Sequence, residues 1–130
     1  IKEVAKYLDI EEVLNKYPYQ MSGGQKQRVA SARAIVTDPA LILADEPTGN
    51  LDSKAARLLL ERFDSLNKEL NATILMVTHD AFAASFCNKI IMIKDGKFFL
   101  ELIKSSNRQV FFKEILDSLS LLGGGYNENI

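Results

Sequence analysis

Leu41-Ile42-Leu43-Ala44-Asp45-Glu46-Pro47-Thr48 is the stretch on which the fold turns. Four apolar residues in a row, closed by two carboxylates, suit a strand buried on both faces of a parallel sheet. Pro47 and Gly49 make a loop, and Asp52 or Ser53 caps a long helix. The apolar positions of that helix, Leu59, Phe63, Leu66 and Leu70, recur at spacings of four, three and four, which is one helical face. Residues 73–77 form a second apolar strand. Strand, helix, strand over this distance is a βαβ unit, so the fold class is α/β.

Working outward, Ser22 reads as the N-cap of a helix over residues 23–37, ended by Asp38-Pro39. Before it, Pro18 breaks the chain, Ile1, Val4 and Leu8 share one helical face, and Asp9 reads as the cap of a short second helix. After the second strand come Thr78-His79-Asp80 and a short helix near residues 81–86. Residues 89–93 and 97–102 flank Asp95-Gly96, a two-residue hairpin signal. Phe111, Ile115, Leu119 and Leu122 mark a last amphipathic helix, and Gly123-Gly124-Gly125 opens a frayed end.

The composition narrows the function classes. The chain has 130 residues, 47% hydrophobic and 25% charged, which is the balance of one globular domain and not of a disordered segment. Its 16 Lys and Arg against 17 Asp and Glu leave a net charge of −1, without the basic excess of a nucleic-acid binder. No apolar run is long enough to cross a bilayer. The single cysteine, Cys87, can form neither an intrachain disulfide nor a Cys-rich zinc site; it fits a reducing compartment and reads as a small buried residue. A chain that opens on Ile1 inside a helical pattern, without a Met, reads as part of something longer.

Four constellations can carry chemistry. Ser22-Gly23-Gly24-Gln25 opens a helix: two glycines let a ligand approach the backbone, and the helix end supplies unpaired N–H donors and a positive dipole. That makes an anion site suited to phosphate, or simply a helix cap with no ligand. Asp45 and Glu46 close a buried strand, where ligands of open α/β sheets sit. Asp45 can hold Mg²⁺ through water and Glu46 can take a proton from an attacking water, or both can be loop carboxylates facing solvent. His79, the only histidine, lies past the second strand end and can donate to a phosphate or serve structure alone. Asp52 by itself reads as an N-cap. Arg28 and Arg33, five residues apart, read as structural.

The order of these segments changes their weight. Met21-Ser22-Gly23-Gly24-Gln25-Lys26-Gln27-Arg28, then Leu41 through Thr48, then Gly49-Asn50-Leu51-Asp52, then Val77-Thr78-His79-Asp80 resembles the ATP-binding cassette (ABC) transporter ATPase over nearly the whole chain. The resemblance implies a signature loop at Ser22 to Gln25, a Walker B strand with Mg²⁺-binding Asp45 and catalytic Glu46, a D-loop at Asp52 and a switch histidine at His79. Met21 stands where the family usually has leucine, a conservative change. The implied fold is a P-loop NTPase, the RecA-like ABC core, truncated at its start. Residues 1–38 would be the end of the helical signature subdomain and residues 39–130 the later part of the catalytic core.

The family also needs a Walker A loop, Gly-x-x-x-x-Gly-Lys-Ser/Thr, and these 130 residues contain none. The resemblance therefore implies an ATPase as the longer protein, with ATP and Mg²⁺ as cofactors, and negligible turnover by this piece alone. Two cassettes would pack head to tail, so that Ser22 to Gln25 serve in trans a nucleotide held by a second copy. Asp45, Glu46 and His79 would serve the chain's own. The implied partners are that second copy and a membrane permease, with no nucleic acid. The implied location is the cytoplasmic face of the plasma membrane. The truncated sheet is expected to leave apolar faces open and to self-associate. The Glu-Pro-Thr-Gly-Asn-Leu-Asp run is similar to the macrolide, lipoprotein and antimicrobial-peptide subfamily. Within it, residues 79–87 and 108–112 look most like the bacitracin group. Lipoprotein release, macrolide export and a non-transport ABC ATPase are the alternatives.

Overall fold

Ile42–Asp45 (β1) and Ile74–Val77 (β2) pair in parallel, Ile42 beside Ile74 through Asp45 beside Val77, in a computed structural model that describes residues 2–123. The 18-residue helix Ser53–Leu70 (α3) links them and completes the βαβ unit. Its buried seam is Ala56, Leu59, Leu60, Phe63 and Leu66. Leu60 belongs to that seam although a strict four–three spacing passes over it, and Leu70, assigned to it from the sequence, is exposed near the helix end. Asn71 stops α3 in the left-handed conformation (φ 51°), and the Asn67 side chain donates to the Ala72 carbonyl at 3.0 Å.

The helices Lys2–Tyr7 (α1) and Gly23–Ile35 (α2) supply the rest of this first core. Ala5, Leu8, Ile10 and Val13 pack with Ala32 of α2 and with Leu59, Phe63 and Leu66 of α3. Asp9 does not cap a second helix. It takes the left-handed conformation (φ 55°) that ends α1, with the Ile10 amide reaching back to the Ala5 carbonyl at 2.9 Å. The expected second helix is a single 3₁₀ turn, Glu11–Val13, whose N-cap Ile10 has no side chain able to cap. A second 3₁₀ turn, Pro18–Gln20, leads into α2.

β1 and β2 are not covered on both faces. Ala44 and Ile74 pack toward the first core, but Leu43 (71% exposed), Leu75 (54%) and Val77 (59%) face outward. The all-apolar run reports what this ladder can bury. Within the first unit only one of its faces meets helices, because α1, α2 and α3 share a single core.

The described chain divides into two compact units after Thr78. In the second, Ala81–Ala84 (α4) precedes an antiparallel hairpin of Lys89–Lys94 (β3) and Lys97–Ile103 (β4). Asp95 and Gly96 both have positive φ (52° and 73°), as the two-residue turn requires. The helix Arg108–Gly123 (α5) lays Phe111 and Ile115 against Met92, Ile90, Leu100 and Leu102 of the hairpin and against Ala81 and Ala84. Leu122 joins that cluster and Leu119, expected on the same face, is exposed. Of the expected frayed end, Gly124 onward lies outside the described residues.

Candidate functional site

The tip of α2 is closed by a reciprocal pair of hydrogen bonds. The Gln25 amide donates to Ser22 Oγ (3.1 Å) and the Ser22 amide donates to Gln25 Oε1 (3.0 Å). Gln25 Nε2 in turn donates to Glu12 Oε1 at 2.7 Å. Because Ser22 Oγ accepts, its own proton is available to a ligand. The amides of Gly23 and Gly24, first in the helix, have no intrahelical acceptor.

The two glycines differ. Gly24 is buried, and a Cβ there would stand 3.1 Å from the Ala55 Cβ of α3. Gly23 is exposed, and a Cβ there would meet Leu51 Cδ2 and the Asn50 carbonyl only at 3.7 and 3.8 Å. The tip of α2 therefore rests on residues 50–55, the turn and first residues of α3. Asp52 caps α3 by accepting the Ala55 amide at 2.8 Å, so its default reading as an N-cap describes it accurately.

Glu46 follows β1 directly. Its amide donates to the Val77 carbonyl (2.8 Å), extending the ladder by one bond. Its φ of 42° is left-handed, a costly conformation for a side-chain-bearing residue that tends to gather at functional sites. Thr78 Oγ1 donates to Glu46 Oε2 at 3.1 Å. The sequence reading gave Thr78 no role, yet the strand register held a signal. Ile42 pairs with Ile74, an offset of 32, and the same offset sets Thr78 beside Glu46. From Glu46 the chain runs through two tight turns, Gly49 N–H to the Glu46 carbonyl and Leu51 N–H to the Thr48 carbonyl, each 3.1 Å, into Asp52. Strand-end acid, turn and α2 tip thus share one support in the first unit.

Asp45 is exposed at the end of β1. Among the described residues no three His, Cys, Asp or Glu side chains converge to hold a metal. A strand-end carboxylate nonetheless suits Mg²⁺, which keeps several waters and draws other ligands from phosphate oxygens. Amides at an exposed glycine helix tip suit phosphate itself.

His79 opens the second unit and is exposed. Asp80 beside it caps α4 by accepting the Phe82 amide at 2.9 Å. Arg28, read as structural, is buried on α2 at 7% exposure, and its Nε has no hydrogen-bond partner among the described residues. Cys87 is half-buried, and burial pushes its thiol above the ordinary value, partly opposed by the positive charge of Lys104.

The chain as a whole is similar to known proteins. The sequence profile of the family described as ABC transporter matches residues 1–49. An uncharacterised ABC transporter ATP-binding protein of Bacillus subtilis, YvcR, is 57% identical over 98% of this chain and 49% of its own length. The bacitracin export ATP-binding protein BceA of Halalkalibacterium halodurans is 51% identical over 98% of this chain and 51% of its own. Among solved structures, the ATP-binding cassette MJ0796, a dimer bound to ADP and phosphate, superposes with a TM-score of 0.66 at 43% identity. That match covers 78% of this chain and 44% of the cassette. The chain spans about half the length of the relatives it matches. The fold is that of the ATP-binding cassettes, the α/β class of P-loop ATPases. Within that class, the chain belongs to the ABC transporter ATP-binding family.

Proposed function

We propose that this chain forms the later part of the ATP-hydrolysing subunit of an ABC exporter that protects against a bacitracin-like peptide. The observation that carries the reading is Glu46: a strand-end acid in a left-handed conformation, held by Thr78 and joined by two tight turns to the capped end of α3. Residues 1–38 close the helical signature subdomain and residues 39–130 belong to the catalytic core.

Phosphoryl transfer depends mainly on positioning and on charge complementarity, and the residues divide those tasks. Glu46 takes the proton of the attacking water, and Thr78 fixes its carboxylate. Asp45 would hold Mg²⁺, which when bound would offset negative charge on the phosphate oxygens. His79 donates to the γ-phosphate. Ser22, through its hydroxyl, and Gly23 and Gly24, through their amides, bind the γ-phosphate of a nucleotide held by a second copy in a head-to-tail dimer. Gln25 fixes the Ser22 backbone for that contact, and Asp52 holds the turn between the two sites.

A polypeptide of these 130 residues turns over ATP negligibly, because it has no Walker A lysine to cradle the β- and γ-phosphates. The longer protein works at the cytoplasmic face of the membrane against a permease. The peptide assignment rests on kinship with the bacitracin exporter, at 51% identity. The net charge of −1 argues against a nucleic-acid partner.

In the protein that carries these residues together with a Walker A segment, Glu46→Gln is expected to keep nucleotide binding. Hydrolysis should fall by about 10²- to 10⁴-fold. Undiminished turnover would remove Glu46 from the mechanism. Loss of the gene is expected to raise bacitracin sensitivity, and unchanged sensitivity would refute the peptide assignment.

A further inference from the structure

We propose that Arg108 is a positioning residue for His79, acting through an aromatic clamp on α4. The role assigned to His79 rests on the function proposed above; the clamp itself rests on geometry alone. α4 has only four residues, too few to hold a helix by their own hydrogen bonds, so its orientation must come from contacts outside it. Two cationic side chains from the β4–α5 segment supply them. The Arg108 guanidinium lies 4.5 Å from the Phe86 ring centre and 5.4 Å from that of Phe82. The two rings meet edge to face at 5.4 Å. Lys104 Nζ donates to the Phe86 carbonyl at 3.4 Å, just past the C-terminal end of α4.

The placement of Arg108 points away from a helix-capping role. It is the first residue of α5, where a cation opposes the helix dipole. The start of α5 is already capped by Asn107, whose Oδ1 accepts the Val110 amide at 3.0 Å. What the guanidinium gains there is the pair of aromatic faces. From the rings the linkage to the histidine is short. The Phe82 amide donates to the Asp80 carboxylate at 2.9 Å, and Asp80 is bonded directly to His79. Ser85, fully buried, donates to the Phe82 carbonyl at 2.6 Å and ties the middle of the turn. Loosening the rings therefore loosens one anchor of His79.

The test is ¹⁵N relaxation of the amides at residues 79–82 in the full 130-residue chain, with Arg108→Lys, Arg108→Gln, Phe82→Leu and Phe86→Leu. The chain has one histidine, so its imidazole signals are unambiguous. Arg108→Gln and either Phe→Leu change are expected to raise the mobility of residues 79–82, and Arg108→Lys to restore most of the order, since a cation over the rings remains. A structural role by size alone would make Lys and Gln equivalent, and that result overturns the proposal. So does wild-type relaxation in Arg108→Gln at an unchanged urea midpoint. Should Arg108→Gln fail to fold, the Phe→Leu pair carries the test, and wild-type mobility in both overturns it. In the Walker A-containing protein, Arg108→Gln is expected to lower kcat about two- to fivefold with KM for ATP unchanged. Equal kcat values for wild type and Arg108→Gln overturn the catalytic part. A wild type without ATPase activity would instead refute the proposed function and leave the relaxation result standing.

Discussion

A single methyl group should cost stability at Gly24 and leave it nearly unchanged at Gly23. At Gly24 the new Cβ stands 3.1 Å from the Ala55 Cβ, inside the roughly 3.5–4.0 Å separation that carbon atoms prefer. Both atoms are fixed by their helices, so no side-chain rotation relieves the contact, and α2 and α3 must part by a few tenths of an ångström. Overpacking of this kind costs about 1–3 kcal/mol. Replacing a helical glycine by alanine returns about 0.5–1 kcal/mol at most. Gly24→Ala is therefore expected to destabilise by about 1 kcal/mol. At Gly23 the nearest atoms are 3.7 and 3.8 Å away, which is ordinary contact, and the change should leave stability within about 0.5 kcal/mol. Urea unfolding gives both numbers through the midpoint. The pair Gly24→Ala with Ala55→Gly sharpens the reasoning, because removing the opposing methyl should make the double variant more stable than the sum of the single changes by about 1 kcal/mol. Additive behaviour, or a Gly24→Ala chain as stable as Gly23→Ala, would refute the close approach as the reason position 24 needs glycine.

Asp52→Ala should lower stability by about 1 kcal/mol through loss of the α3 cap, and Asp52→Asn should keep most of it, measured by urea midpoint. Phe111→Ala should cost about 3–5 kcal/mol, since the ring is 1% exposed in the second core; a smaller loss by the same measurement would mean that the hairpin collapses onto the gap. Cys87 is held protonated by burial, so its contribution to stability is intact below the ordinary thiol value near 8.5 and is lost as pH rises through the higher folded value. Stability against alkaline pH should be flatter in Cys87→Ala, and iodoacetamide at pH about 8.5 should alkylate the folded chain more slowly than the unfolded one. The outward face of Leu43, Leu75 and Val77 should make the isolated chain associate with rising concentration; a concentration-independent monomer in sedimentation would count against it.

What the sequence made legible is what neighbouring residues decide. Ser22 and Asp52 cap their helices because a short acceptor side chain reaches the amide three residues on, and Asp95-Gly96 turns because both residues tolerate positive φ. The α3 seam and the parallel strands follow from apolar spacing in the same way. Asp9 shows the limit. An aspartate after a helical stretch can cap the next helix or end the last one, and the choice falls to Leu8, Ile10 and Val13, whose burial draws the chain back over α1. The open face of β1 and β2 was expected from the resemblance to a longer sheet and not from the run itself, because four apolar residues in a row record capacity for burial on two faces and not the helices at hand. At the candidate site, motif order is what singles out Glu46, Asp45, His79 and Ser22 to Gln25. It does not show their support: Thr78 beside Glu46 depends on strand register, and Gly24 against Ala55 on how closely two helices approach.

That support bears on the proposed function. Glu46 and the tip of α2 are joined by a short series of fixed contacts: two 3.1 Å turns from Glu46 to Leu51, the Asp52 cap, and the seat of Gly23 and Gly24 on Asn50, Leu51 and Ala55. The spacing between the acid and the helix tip is thus set inside the chain. Groups that need no rearrangement at the moment of reaction contribute most to a transition state dominated by charge. On the proposed function, where the helix tip serves the second copy's nucleotide and Glu46 the chain's own, a change that parts α2 from α3 by a few tenths of an ångström should be felt less in nucleotide affinity than in turnover, because binding tolerates a displaced group better than phosphoryl transfer does.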